Sequence, residues 1–449
     1  MKRSLSPFSM KEMFLETDSP VEHLPFLLQP ASRQVWVQAV GRSLYQAGYG
    51  SIQFFIPLIF VNQVGLSATI VGIGIGSGSL AGLIGHFLGG YLADSPAYGR
   101  KRALLFSAGL SIMAAIALAL TQSLPMLVIA NLFMGLSAGC YWTAADAAVI
   151  DVTTAEHRHK AFAVLVLADS LGGGLGIWGG GLLLSLVPDA QLLFLVDSLI
   201  LVVFLVLILI GVTETRQERP EHVDTLQGFV VALRDRSLLL FVLVNVLFTT
   251  YIALVSSTLP LYFTNVVSIN PEATPASGTS IGSIANLYTW CYVGLGALLQ
   301  VPIVQFLGSM PKVRVLAISM LLWGTGFIIV WVTGTVTSMQ LVWAIASLSV
   351  LSVAATIYKP FAPVIVAELA PESLRGAYLA ISYQCWSIGY FIGPVLGGWA
   401  MDQSGAIARG AWVVAAIGAF FSLFILYFLG QTRVSNSVAR IEDTASVPQ

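Results

Sequence analysis

Apolar stretches of about twenty residues or more recur along the whole of this 449-residue chain. A helix of about 20 apolar residues is long enough to cross the hydrocarbon core of a bilayer. In lipid, every backbone polar group must be satisfied within the protein, so such stretches are expected to be helices. The sequence therefore predicts an all-α integral membrane protein with twelve transmembrane helices. We place them near residues 35–61, 68–93, 103–121, 125–149, 161–187, 190–212, 238–265, 279–307, 313–333, 338–367, 376–401 and 410–430.

The composition agrees with a membrane protein and argues against several other classes. Charged residues make up 10% of the chain, whereas soluble domains carry about 25%. The formal net charge of −1 argues against a nucleic-acid partner, because phosphate is bound by basic surfaces. A membrane β-barrel would show alternating strands of about ten residues, and runs such as 199–210 do not alternate. The three cysteines lie in apolar stretches without metal-ligand spacing, so we predict no metal site and no cofactor.

The basic residues are distributed unevenly among the loops. If the N-terminus lies in the cytoplasm, eighteen of the 21 Lys and Arg residues fall in cytoplasmic loops. Arg409 alone then falls in an outer loop, while Arg42 and Lys359 lie within spans. Loops rich in Lys and Arg remain on the cytoplasmic side of a membrane. We therefore predict a multi-pass protein with both termini in the cytoplasm. The lack of large outer loops and of glycosylation sequons fits the plasma (inner) membrane.

A long, charged loop in the middle of the chain divides the spans into two sets of six. This division predicts five regions. They are a cytoplasmic N-terminal segment (1–34), an N-terminal six-helix bundle (35–212), a cytoplasmic linker (213–237), a C-terminal six-helix bundle (238–431) and a cytoplasmic tail (432–449).

The two bundles are related to each other in sequence. Residues 57–62 (PLIFVN) match 260–265 (PLYFTN) at an offset of 203, and residues 151–181 match 368–398 at an offset of 217. Repeated sets of membrane helices are typical of secondary transporters, whose substrate site lies where the repeats meet. The repeat therefore predicts two pseudo-symmetric halves around a shared site for a small-molecule substrate.

Short motifs in the loops resemble those of one family. Residues 90–94 (GYLAD) followed by 99–102 (GRKR) resemble the signature loop between spans 2 and 3 of the major facilitator superfamily, with two extra residues between the Asp and the Gly. The loops at 151–158 and 368–375 resemble the family's acidic-then-Arg loops after spans 4 and 10, and 389–398 resembles its Gly-Pro helix motif. Within the superfamily the chain is most similar to the drug:proton antiporter branch, which implies a monomer with protons as a second partner.

The resemblance implies a conformational latch at the cytoplasmic ends of the spans. In the family, this charge cluster holds the two halves together in the outward-open state. A loop that only sets the topology, with solvated charges, is the alternative. The residues implied are Gly90, Asp94, Gly99, Arg100, Lys101, Arg102, Asp151, Arg158, Glu368 and Arg375.

Polar residues within the spans are candidates for a substrate cavity. Such residues are costly in lipid and usually face a bundle interior or a cavity. Several recur at helical spacing and so share one face of their helix. The resemblance implies that spans 1, 4, 7 and 10 line the cavity, while hydrogen bonding between helices without ligand contact is the alternative. The candidates are Arg42, Gln46, Gln53, Asn131, Trp142, Asn245, Thr249, Ser256, Ser349, Ser352, Thr356 and Lys359.

Two carboxylates within the spans are candidates for proton coupling. Burial disfavours the charged form of a carboxyl group, so such a group can exchange a proton near neutral pH. We choose Asp169, about eight residues into span 5, first and Asp146, one turn from the inner end of span 4, second. A structural ion pair with Arg42 is the alternative. Lys359 precedes Pro360, which predicts a broken helix there, and Lys359 could hold an anionic group or act as a fixed counter-charge.

Small residues within the spans are expected to pack helices together, and one further carboxylate is expected to face solvent. Small residues at four-residue spacing allow close contact between membrane helices. Asp197 lies near the outer end of span 6, where we expect a solvated, interfacial carboxylate. The residues assigned to helix packing are Gly172, Gly176, Gly180, Gly389, Gly393, Pro394 and Gly397.

The leading functional interpretation is a proton-coupled secondary transporter that exports small amphipathic compounds or drugs. The chain departs from the antiporter pattern at Asn131, where the family carries Arg, and at Ile177, where it carries Pro. A symporter or uniporter for a small organic anion or polar nutrient is the alternative, favoured by Arg42, Lys359 and Asn131. A non-transporting receptor on the same fold is a third interpretation. The sequence shows no Ser-His-Asp set or metal spacing that would indicate an enzyme.

Overall fold

The computed structural model describes residues 33–153, 155–187, 189–215, 230–267, 274–371 and 374–445. Residues 1–32 of the predicted N-terminal segment and most of the central linker lie outside the described residues. Within them the chain forms α1 (Arg33–Asn62), α2 (Ala68–Asp94), α3 (Gly99–Ala119), α4 (Leu124–Asp151), α5 (Ala155–Leu186), α6 (Ala190–Gly211), α7 (Arg236–Tyr262), α8 (Gly278–Leu307), α9 (Lys312–Thr335), α10 (Gln340–Leu369), α11 (Arg375–Met401) and α12 (Gly405–Ala445).

The helices account for the predicted number of spans. Eleven of those in the described residues are long and apolar enough to cross a membrane. The twelfth is α11, which has 27 residues and packs against α2 and α7. The predicted fold class, an all-α membrane protein of twelve helices in two six-helix halves, is confirmed.

Side chains just before several helices satisfy the free N–H groups of the first turn. Ser67 accepts a hydrogen bond from the backbone N–H of residue 70 at the start of α2, and Ser277 accepts one from residue 280 at the start of α8. Asp189 and Asp235 do the same for α6 and α7. Such caps stabilise a helix end by about 1 kcal/mol. The short connections therefore set where each span begins.

The second half contains irregular helical turns that the sequence did not predict. Residues Phe263–Val267 form a π-helical turn after α7, and residues Thr289–Gly294 form another within α8. The break expected at Lys359 was wrong, because α10 continues through Pro360 and Pro363 to Leu369. Neighbouring helices in a membrane protein satisfy the groups that a proline frees, so proline need not end a span.

Glycines bring equivalent helices together in the two halves. A β-carbon at Gly172 or Gly176 of α5 would collide with carbonyl oxygens of α1, at Ser43 and Ala47. Gly180 of α5 packs against α1 and α6 in the same way. In the second half, β-carbons at three glycines of α11 would collide with α7. The packing glycines of α11 are Gly389, Gly393 and Gly397.

Gly176→Ala is expected to lower the melting temperature of the purified protein in detergent. The added methyl group would meet the backbone of α1, which cannot rotate away as a side chain can, and overpacking typically costs about 1–3 kcal/mol. Gly179→Ala on the same helix is the matched control, because its β-carbon would meet nothing within 4 Å. Equal melting temperatures for the two variants would contradict the packing role of Gly176.

The two halves touch at one end of the bundle. We call the end where α1 begins and α11 begins the N/C face, and the other end the opposite face. At the opposite face, Asn265 Nδ2 donates to Asn62 Oδ1 at 2.8 Å and Ser185 Oγ donates to the Gly278 carbonyl at 3.4 Å. A β-carbon at Gly72 of α2 would collide with the Pro394 carbonyl of α11. These contacts close the opposite face around the central space between the halves.

Candidate functional site

A cavity of about 270 Å³ lies between the two halves. The first half contributes α1, α2 and α5, and the second half contributes α7, α8, α10 and α11. Six of the predicted cavity residues line it, together with the first proton-coupling candidate, Asp169. The six are Gln46, Gln53, Ser256, Ser352, Thr356 and Lys359.

Several predicted cavity residues lie elsewhere, so their assignment to the cavity is corrected. Asn245 is 1% exposed, its amide donates to the Ser382 carbonyl at 3.2 Å, and it accepts from the Tyr358 hydroxyl at 2.6 Å. Thr249 donates to the Cys385 carbonyl at 2.7 Å. These hydrogen bonds join α7 to α10 and α11, which is the alternative that the sequence left open.

Span 4 does not line the cavity. Asn131 is 1% exposed and donates to the Leu127 carbonyl of its own helix at 2.9 Å. At this point α4 packs closely on α2, since a β-carbon at Gly78 would collide with the Asn131 carbonyl. Trp142 of α4 lies behind the cavity wall, and Ser349 of α10 is half-buried outside the lining. A polar stripe on one face of a helix therefore did not show which neighbouring helix that face contacts.

Three charged side chains form an ion cluster in the wall of the first half. Arg42 Nη1 lies 2.8 Å from Asp146 Oδ1, and Arg42 Nε lies 2.8 and 2.9 Å from the two oxygens of Asp169. The guanidinium also lies 4.6 Å from the ring centroid of Trp142, within range of a cation–π contact. One cation thus faces two carboxylates, and the cluster carries a net charge of −1.

The ion cluster is only partly open. The Arg42 side chain is 9% exposed, whereas those of Asp169 and Asp146 are 18% and 39% exposed. Behind it, Tyr45 stacks on Tyr141 with ring centroids 3.7 Å apart, which fixes the wall against which Arg42 packs. Arg42 is therefore a buried counter-ion, while Asp169 faces the cavity.

The second half places one cation opposite this cluster. Lys359 of α10 lines the cavity and is exposed to it, and it interacts electrostatically with Asp169. Across the described ranges, no hydrogen bond or direct ion pair reaches its ammonium group. One and two turns earlier on α10 lie Thr356 and Ser352, and the Ser352 hydroxyl donates to the Tyr292 carbonyl in the π-helical turn of α8 at 2.6 Å. This bond holds the irregular turn in the cavity wall, a setting in which π-helical turns are common.

The signature-loop residues form a cluster at the N/C face of the first half. Arg100 Nη1 lies 2.6 Å from Asp94 Oδ1, and Arg100 Nε lies 3.0 Å from Asp151 Oδ2. Lys101 Nζ donates to the Leu209 carbonyl at 2.8 Å. Arg102 donates to the Ala97 carbonyl. These contacts tie α2, α3, α4 and α6 together within one half, and the latch between halves remains a prediction.

Other parts of the predicted latch are placed as follows. Gly99 has a φ of +78°, which favours glycine, and a β-carbon there would strike the carboxylate of Glu214, which accepts from the N–H groups of residues 100 and 101. Gly90 has ordinary space around it. Glu368 and Arg375 are exposed near the end of α10 and at the start of α11. The side chain of Arg158 lies outside the described residues.

Two carboxylates have structural roles that sequence reasoning did not assign to them. Asp402, just after α11, accepts from the backbone N–H groups of Ala68 and Thr69 at 2.8 Å each and from the Thr69 hydroxyl at 2.5 Å. Asp402 and Ser185 are equivalent positions at the repeat offset of 217, and Ser185 also forms a hydrogen bond between the halves. The repeat therefore contained a signal for the role of Asp402. Asp197 is 2% exposed and accepts from Ser51 at 3.1 Å, so the expectation of a solvated carboxylate was wrong.

Two six-helix halves around a central cavity define a membrane transporter. The family model of the Major Facilitator Superfamily matches residues 39–276 and 263–447, and the chain belongs to that superfamily. It is 24% identical over 390 residues to a "Na(+), Li(+), K(+)/H(+) antiporter" of Planococcus maritimus, covering 81% of this chain and 88% of that one. It is 23% identical over 348 residues to the uncharacterized MFS-type transporter YttB of Bacillus subtilis (strain 168), covering 77% and 82%.

Solved structures share the fold. The nucleoside transporter NupG superposes with a TM-score of 0.73 at 13% identity, covering 88% of this chain and 98% of that one. The peptide transporter POT in complex with sulfate gives a TM-score of 0.72 at 15% identity, covering 89% and 94%. At these identities the likeness concerns the fold, and substrate recognition depends on the cavity of this chain.

Proposed function

We propose that the protein is a proton-coupled antiporter that exports small amphipathic molecules from the cytoplasm by alternating access. It works in the plasma membrane as a monomer with both termini inside, so the N/C face is cytoplasmic. The observation that carries the proposal is the carboxylate of Asp169, which faces the cavity and shares one guanidinium with Asp146. The charge on such a group can change as the cavity is exposed to either side of the membrane.

The exchange follows from competition for one carboxylate. In the state open to the outside, a proton binds Asp169 and weakens the attraction between Asp169 and Arg42. Arg42 remains paired with Asp146. After the halves rock, the proton leaves to the cytoplasm, and the restored carboxylate attracts the cationic group of a substrate. The proton and the substrate bind the same carboxylate in turn, so they cannot cross the membrane together. They therefore cross in opposite directions, which is antiport.

The rest of the lining suits amphipathic substrates. Aromatic rings come from both halves, including Tyr49 and Phe54 of α1 and Tyr288 and Tyr390 of the second half. Gln53 Nε2 donates to the Tyr49 hydroxyl at 3.2 Å, which leaves its carbonyl oxygen for a ligand. Apolar and aromatic walls with a few polar groups are typical of small-molecule sites. The name of the Planococcus maritimus relative, a cation/H⁺ antiporter, supports the exchange of a cationic substrate for a proton.

Asp169→Asn is expected to abolish proton movement coupled to substrate. In inside-out vesicles with an imposed pH gradient, lipophilic amines should dissipate the gradient with the wild-type protein and leave it intact with the variant. Asp189→Asn is the control, because Asp189 caps α6 outside the cavity and asparagine also caps helices. Equal dissipation by wild type and Asp169→Asn would overturn the assignment of Asp169.

A second candidate function is uptake or uniport of a small organic anion. The cavity-facing ammonium of Lys359, which has no direct partner among the described residues, favours it. In that case labelled organic anions should enter wild-type vesicles while no tested substrate moves protons. The vesicle experiment above therefore separates the two functions.

A further inference from the structure

The cavity carries opposite charges on opposite walls. Asp169 belongs to α5 of the first half and Lys359 to α10 of the second, and both line the same space. The two side chains attract each other electrostatically, yet no direct ion pair joins them within the described residues. A carboxylate of one half and an ammonium group of the other therefore line one cavity without forming a direct ion pair.

We propose that the cavity selects zwitterions, with the cationic group of the ligand at Asp169 and its anionic group at Lys359. The inference rests on the proposed function, in that it takes this cavity as the transport site, and it names the substrate class of that site. It differs from both functions above, because each of those uses only one sign of charge.

Charge counting supports the choice of a zwitterion. The ion cluster of Arg42, Asp146 and Asp169 carries −1 and Lys359 carries +1, so the cavity is neutral when Asp169 is ionised. A zwitterion keeps it neutral and gives each charged wall a partner. A simple cation leaves Lys359 unpaired and repels it, and a simple anion does the same at Asp169, which is costly at membrane depth.

Proton coupling then acts on one end of the ligand. When Asp169 takes a proton, the cationic group of the ligand loses its counter-charge, while Lys359 still attracts the anionic group. The binding of the ligand is weakened at one contact, so the ligand dissociates more readily. The Ser352 and Thr356 side chains on the same face of α10 and the ring of Tyr390 contact the body of the ligand between its charges.

The test uses ligands that share a skeleton and differ only in charge. One set is phenylalanine, 2-phenylethylamine and 3-phenylpropionate, and a second set with a longer spacing is 4-(aminomethyl)benzoate, benzylamine and benzoate. Binding to the purified full chain is measured by calorimetry. In at least one set, the zwitterion should bind at least tenfold more tightly than the cation and the anion. Absence of such a preference in both sets, including absence of binding, overturns the proposal.

Variants of Lys359 test the contact itself. Lys359→Gln should reduce the preference of the zwitterion over the cation to less than threefold, and Lys359→Arg should retain it. Lys312→Gln is the matched control, because Lys312 contacts the Phe361 ring and the Gly308 carbonyl outside the cavity lining. An unchanged preference in Lys359→Gln would overturn the role of Lys359.

The outcome is independent of the coupling mechanism. If zwitterions bind through Lys359 but move no protons in vesicles, the proposed antiport fails and the substrate class stands. If cations and zwitterions bind equally and both move protons through Asp169, the antiport stands and the substrate class fails.

Discussion

Arg42→Met is expected to destabilise the folded protein by about 3 kcal/mol. Breaking a buried ion pair by removing one partner leaves an uncompensated charge, which commonly costs about 3–5 kcal/mol. Asp146 is 39% exposed and can be hydrated, so the lower end of that range applies. Asp169 is 18% exposed and would lose both of its short contacts to the guanidinium. The melting temperature of the purified protein measures the effect.

A second substitution separates lost charge pairing from lost packing. Arg42→Met combined with Asp169→Leu removes the stranded carboxylate and should recover most of the melting temperature. Arg42→Lys keeps the charge but cannot reach both carboxylates with a planar fork, so it should fall between wild type and Arg42→Met. A double variant no more stable than Arg42→Met would show that the cluster is held by packing against Trp142 and not by charge.

Asp402→Ala is expected to open the opposite face. Its carboxylate accepts three hydrogen bonds from the first residues of α2, at the positive end of the helix dipole. Hydrogen bonds to charged groups contribute about 1.5–3 kcal/mol when buried. These are partly exposed, so we expect a loss of about 1.4 kcal/mol, or tenfold in the equilibrium between conformations.

The opening can be measured at the point where the halves meet. In a chain with Asn62→Cys and Asn265→Cys, a short thiol cross-linker reports how often the opposite face is closed. Adding Asp402→Ala should slow cross-linking, by up to about tenfold where the closed state is the minor one. Asp189→Ala removes a capping carboxylate within one half and should leave the rate unchanged. An unchanged rate with Asp402→Ala would mean that the glycine contacts alone keep this face closed.

The repeated pattern of the sequence was enough to predict the fold, because hydropathy determines which segments enter lipid. It was also enough to relate the packing glycines of α5 and α11. Sequence analysis gave the pairing of Arg42 with a carboxylate only as an alternative to proton coupling. In the structure, Arg42 pairs with both Asp146 and Asp169. An ion pair and a proton site are compatible when the carboxylate also faces the cavity.

The parts of the site that sequence reasoning missed depend on neighbours. Periodicity shows that Asn245 and Thr249 share a helix face, but it does not show that the face meets α11. For Asn131, the facing glycines of α2 leave no room for a cavity. Asp402 stands in a short turn and gains its role only because α2 begins beside it in the other half. Each of these three errors therefore concerned the contacts between helices and not the helices themselves.

The hydrogen bond between Asn62 and Asn265 has a consequence for the symmetry of the chain. The two asparagines occupy the same place in the two repeats, 203 residues apart, and they bond to each other. In a symmetric dimer, a residue that lies on the two-fold axis meets its own copy. The axis that relates the two halves therefore passes close to this pair. Because the two asparagines are separate positions of one chain, each can be substituted alone, and a change at one meets an unchanged partner at the other.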